Sequence, residues 1–159
     1  MWNGGVRVIV LDSENRILMV KQQHPEREVW MVPGGQIEEG EDSAAAGIRE
    51  VREETGLEIE MRGLLWHVEE VGARGQRFVN FHHAETVPAG AGGSDNPKLG
   101  ADPELGGEAQ VLREVKFMSR EEVQTVENIY PEWLRDEFWK LLDKGNLEYD
   151  AFKKRVDIF

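Results

Sequence analysis

The segment running from Gly35 to Leu57, GQIEEGEDSAAAGIREVREETGL, constrains this chain more than any other. It places Glu50, Glu53 and Glu54 within one and a half turns of a helix, with Arg49 and Arg52 among them. Side chains three and four apart on a helix are neighbours, so Glu50 meets both Glu53 and Glu54. Three adjacent carboxylates repel one another unless positive charge lies between them. A hard divalent cation such as Mg²⁺ answers that need: it takes oxygen ligands, binds through one or two carboxylates, and completes its shell with water and substrate phosphate.

The flanking residues read as a built unit. Trp30-Met31-Val32 is a short strand, and Pro33-Gly34-Gly35 is expected to turn the chain. Asp42-Ser43 offers a helix N-cap. Ala44, Ala45, Ile48 and Val51 form an apolar stripe at helical spacing, with Glu50, Glu53 and Glu54 placed away from it. Gly56 suits the left-handed position that ends a helix, and a new strand starts at Leu57 or Glu58. Interleaved acids and bases are common on solvated helix faces. The full spacing separates that reading from a functional one: Gly35, five residues, Glu41, seven residues, then Arg49-Glu50-Val51-Arg52-Glu53-Glu54-Thr55-Gly56-Leu57.

This pattern resembles the signature of the Nudix hydrolase family, G-x5-E-x7-R-E-U-x-E-E-x-G-U with U apolar, and every specified position matches. The resemblance implies an α/β (α+β) fold, an α/β/α sandwich with a mixed central sheet. It also implies hydrolysis of a nucleoside diphosphate linked to some moiety X, with Mg²⁺ or Mn²⁺ as cofactor. By that resemblance Glu53 and Glu54 are metal ligands, joined by the Gly35 carbonyl, and Glu50 is either a ligand or the base for the attacking water. Arg49 orients the carboxylates, and Glu41 is structural, through a salt bridge to Arg49 or at the helix start. Family members often recruit a further carboxylate beyond this box; Glu104, Glu108 and Glu114 are the candidates by position.

At 159 residues the chain reads as one domain over its whole length. It has no Cys, so disulfides, thiolate chemistry and zinc–cysteine sites are excluded. That suits a cytoplasmic setting, as does an N-terminus without the shape of a signal peptide. No apolar run is long enough for a membrane span. A net charge of −12 argues against an extended nucleic-acid or anionic-membrane surface. A small phosphorylated nucleotide remains compatible, because a metal supplies local positive charge.

Along the chain, 5–11 and 16–21 read as a hairpin, 22–28 as a loop, and 58–70 and 77–87 as strands joined by a turn. Residues 88–107, rich in Gly, Pro and Asp, form a long loop, read as a substrate lid or a disordered insertion. Residues 111–118 return as a strand, Ser119-Arg120-Glu121-Glu122 opens a helix through a capping box, and 131–144 reads as one amphipathic helix bearing Leu134, Phe138, Leu141 and Leu142.

Phosphate donors are sought among Arg7, Lys21, Arg27, Arg74 and Arg77, and base-stacking groups among Trp30, Trp66, Phe78 and Phe81, against surface and core roles for the same residues. His82 and His83 are adjacent on a strand and point to opposite faces, which with His67 argues against a histidine metal site. Two substrate marks of the family, a Pro or a Tyr about fifteen residues past the box, are missing: that position falls at Gly72 and Ala73. A Nudix-like regulatory domain that binds a nucleotide without cleaving it is the alternative, although such domains usually lose box carboxylates. A homodimer contact through Trp133, Phe138 and Trp139 is weighed against packing of the same helix on its own core.

Overall fold

A computed structural model describes residues 4–73, 75–100, 112–145 and 147–148, and the backbone of 151–156. Its elements are β1 (Gly4–Leu11), β2 (Ile17–Gln23), β3 (Glu28–Met31), β4 (Gly34–Gln36), α1 (Ser43–Thr55), β5 (Ile59–Gly72) and β6 (Gly75–Thr86). After a 3-10 turn at Ala89–Ala91 come β7 (Leu112–Met118), α2 (Arg120–Thr125), β8 (Ile129–Tyr130), a 3-10 turn at Glu132–Leu134, α3 (Glu137–Asp143) and β9 (Ala151–Val156).

The strands form one mixed sheet in the order β8-β3-β2-β1-β6-β5-β9, with β4 also pairing β1 and β7 pairing β2. β1 runs parallel to β6 and antiparallel to β2 and β4. Its sequence, GGVRVIVL, is nearly all apolar because both faces of the sheet are covered. Val6, Val8 and Val10 face Ala46 and Val51 of α1, with Leu57 and Ala84. Ile9 and Leu11 face the opposite core, where Trp66, Phe81, Tyr130, Leu134, Phe138 and Trp139 pack. This is the expected sandwich of a mixed sheet between helical layers.

Two expectations are corrected. Pro33-Gly34-Gly35 does not form a glycine turn: Gly34 and Gly35 lie in β4, paired with Arg7 and Val6. The glycines are required by close approach, since a Cβ on Gly34 would lie 2.0 Å from the Val6 carbonyl oxygen. Residues 131–144 are not one helix either. Pro131 is extended, at φ −78° and ψ 154°, and Asp136 at φ −145° interrupts the helical path. The Leu134 carbonyl accepts from the Trp139 indole at 2.7 Å, while the Arg135 guanidinium donates to carbonyls from Val123 to Glu127. Phe138 and Trp139 are buried in the chain's own core, and Trp133 packs edge-on against Trp66 and Phe81. Of the aromatics weighed as a dimer contact, Phe138 and Trp139 are core residues and Trp133 is half-buried against that core.

Residues 88–100 dock on the end of α1, where the amides of Lys98 and Gly100 reach helix carbonyls. The remainder of the long loop lies outside the described residues. Among the described residues no helix is long and apolar enough to cross a membrane.

Candidate active site

Helix α1 is set by its ends. The Asp42 carboxylate accepts from the Ala45 amide at 2.8 Å, closing the first turn. Gly56, at φ 73°, donates its amide to the Arg52 carbonyl and releases the chain into β5. Between these ends the buried face is Ala46, Gly47, Glu50, Val51, Glu54 and Thr55. The stripe expected from Ala44, Ala45, Ile48 and Val51 is thus rotated, and Glu50 and Glu54 point inward rather than away from the core. They are 2% and 1% exposed.

Buried carboxylates need charge compensation, and for Glu50 Arg49 supplies it. Its Nη1 lies 3.0 Å from Glu50 Oε1 and 3.2 Å from Glu53 Oε2. Its Nη2 lies 2.6 Å from Glu41 Oε1 and donates to the Gln36 carbonyl at 3.0 Å. Glu38 stands 3.8 Å from Nη1. The guanidinium fork spans the helix and the segment before it, a task that suits arginine's fixed donors. Its pairing with Glu41, and next with Glu50, raises the Arg49 pKa further; the same bond holds the Glu41 carboxyl below its ordinary value. The expected Glu41–Arg49 bridge is present. Gln36 and Glu38 were not anticipated, and only the spacing of β4 from α1 could have pointed to them.

Gly35 faces the same group. A Cβ there would sit 2.4 Å from Glu50 Oε1, so the missing side chain makes room for the carboxylate against the β4 backbone. The donors gathered here are all oxygens, which fits a hard divalent cation. Among the described residues no three acidic or histidine side chains already converge as a closed cage; Arg49 is the positive charge among them.

An open cleft of about 710 Å³ flanks the start of α1, lined by residues 37–41, Ser43 and Asn80. A polar chain crosses its floor. His67 Nδ1 lies 2.5 Å from Asn80 Oδ1, the Asn80 amide donates to Ser43 Oγ at 3.2 Å, and Ser43 Oγ lies 2.8 Å from His82 Nε2. Burial holds His82 below its ordinary pKa, with Asp42 pulling the other way. A neutral His82 whose proton sits on Nδ1 accepts from the Ser43 hydroxyl. Residues so far apart in the chain gave no sequence signal of this network, although the opposed directions of His82 and His83 were expected.

The other candidates separate clearly. Lys21 is held by Glu28 at 3.0 Å and Glu114 at 3.4 Å, so Glu114 lies with Lys21 and not with the Arg49 group. Arg77 pairs with buried Glu70 at 3.3 Å. Arg27 is exposed on the β2–β3 loop. Arg7 lies over Gly34, donates to the Val32 carbonyl at 3.1 Å and stacks on Tyr130. Trp66 and Phe81 are core residues, and Trp30 is covered by Lys21 and Lys116. Phe78 is 39% exposed and stacks on His67 at 5.3 Å. Arg74, Glu104 and Glu108 lie outside the described residues.

The sequence profile described as the NUDIX domain matches residues 1–136. The chain belongs to the Nudix family. Nucleoside diphosphate-linked moiety X motif 6 of Xenopus laevis is 42% identical over 62 residues, 38% of this chain and 29% of that protein. RNA pyrophosphohydrolase of Pelagibacter ubique is 34% identical over 53 residues, 33% of this chain and 34% of that protein. The chain thus spans between 20% and 36% of the length of these and similar curated relatives. Among solved structures, a NUDIX hydrolase from Nitrosomonas europaea superposes with a TM-score of 0.68 at 18% identity, covering 92% of this chain and 91% of the other. That likeness establishes the Nudix fold.

Proposed function

We propose that this Nudix domain hydrolyses the diphosphate linkage of a nucleoside diphosphate joined to a further moiety, using Mg²⁺ or Mn²⁺ and water. The observation that carries this reading is the gathering of Glu50 and Glu53 on one nitrogen of Arg49, with Glu50 pressed against Gly35. The names of the two relatives support the substrate class, since both concern phosphate–phosphate linkages.

Glu50, Glu53, Glu54 and the Gly35 carbonyl are the residues that would hold the cation. When bound, such an ion neutralises phosphoryl oxygens and lowers the pKa of bound water. Arg49 keeps Glu50 and Glu53 aimed, which serves a ligand and a proton acceptor alike. Glu41 anchors the far side of Arg49, so its part is positioning.

The test is a phosphate-release screen over nucleoside triphosphates, nucleotide sugars, ADP-ribose and dinucleoside polyphosphates, with and without Mg²⁺ or Mn²⁺. Release from at least one class, abolished by chelator, is expected. Tight nucleotide binding with no release from any class would instead identify a non-catalytic regulatory domain.

A further inference from the structure

The end of α1 is held from outside the helix. A helix leaves its last carbonyls without intrahelical donors. Here the Gly56 amide serves Arg52, while two amides from a distant segment serve the last two: Gly100 donates to the Glu54 carbonyl and Lys98 to the Thr55 carbonyl, each at 2.8 Å. The contact is close enough to exclude a side chain. A Cβ on Gly100 would lie 1.8 Å from the Glu53 carbonyl oxygen and 2.9 Å from its carbonyl carbon. Backbone cannot yield there as a flexible side chain could.

The residues hydrogen-bonded in this way are Glu54 and Thr55, and the Glu53 carbonyl lies against Gly100. Glu50, a turn earlier, is fixed independently by Arg49 and by Gly35. We propose that segment Lys98–Gly100 is a positioning strap for the Glu53 and Glu54 carboxylates, and that Gly100 is the residue on which it depends. The strap turns a fraying helix end into a fixed one, so the two carboxylates keep their directions before any ligand arrives. It also gives the long loop after β6 a defined task at the active site. The inference rests on the proposed role of these carboxylates as metal ligands.

The experiment is Mn²⁺ binding without substrate, followed by the loss of the free-ion electron paramagnetic resonance signal, together with hydrogen exchange across α1. Gly100→Ala is compared with Gly90→Ala, where a Cβ meets nothing within 4 Å. Expected are a Mn²⁺ affinity reduced about 10–100-fold in Gly100→Ala, faster exchange in the last turn of α1, and wild-type behaviour in Gly90→Ala. Should Gly100→Ala fail to fold, Lys98→Pro, which deletes the amide serving Thr55, takes its place with the same expectation. Wild-type Mn²⁺ affinity in the strap variant overturns the proposal and leaves the metal site standing. Absence of Mn²⁺ binding by the wild-type chain overturns the metal reading, and the strap's role falls with it.

Discussion

One nitrogen of Arg49, Nη1, lies 3.0 Å from Glu50 and 3.2 Å from Glu53, and the other terminal nitrogen reaches Glu41 and the Gln36 carbonyl. Removing this side chain leaves the Glu50 carboxylate, 2% exposed, beside other acids without its cation. Breaking such a pair from one side is costly, whereas the pair as a whole adds little net stability. Arg49→Ala should therefore lose about 3 kcal/mol in urea unfolding. Arg49→Lys should recover only part of it, because a single ammonium cannot serve the fork's four acceptors. An unchanged urea midpoint in Arg49→Ala would show that Glu50 is stabilised by something else. The same residues show how far the sequence could be read. The identity of every box position was legible, and so was the Glu41–Arg49 bridge. The inward direction of Glu50 and Glu54 was not, because a buried acid looks like a surface acid until its counter-charge and the glycine backbone beside it are placed.

At the scale of elements, α1 is tied at its start to the sheet by the Ser43–His82 hydrogen bond and at its end to the segment Lys98–Gly100. The first tie titrates. Burial lowers the His82 pKa below its ordinary 6.5, and burial lowers that of His83 as well. As pH falls below about 6.5 the unfolded chain takes up protons before the folded one, so stability drops on acidification through the lowered folded values. Glu41 adds to the same trend in a lower window, since its carboxyl is held below the ordinary 4.5 by Arg49. Thermal unfolding between pH 7.5 and 5.5 should show the first loss, and His82→Gln, which cannot titrate, should reduce it. A flat profile in the wild type would contradict the assignment of a neutral buried His82. The caps of α1 were legible in Asp42 and Gly56 because capping is local. The split of 131–144 into a 3-10 turn and α3 was not, since its apolar spacing continues while Asp136 leaves the helical path. The Ser43–Asn80 contact joins residues 37 apart, and no local pattern announces it.

At the scale of the molecule, one sheet carries two cores, and the site sits where β4 narrows to glycine against β1 and α1 closes over it. The sandwich was legible from the order of strands and helices and from the doubly covered β1. The docking of residues 98–100 on the helix end was hidden, because backbone-to-backbone contacts leave no residue pattern beyond one glycine. Everything proposed for function converges on the carboxylates at that edge. The most direct measurement is turnover of Glu53→Gln and Glu54→Gln at saturating Mg²⁺ on the substrate identified by the screen, with unfolding temperature measured alongside. The account predicts a fall of about 100-fold or more in each, with the fold retained. Undiminished turnover in both variants would contradict it.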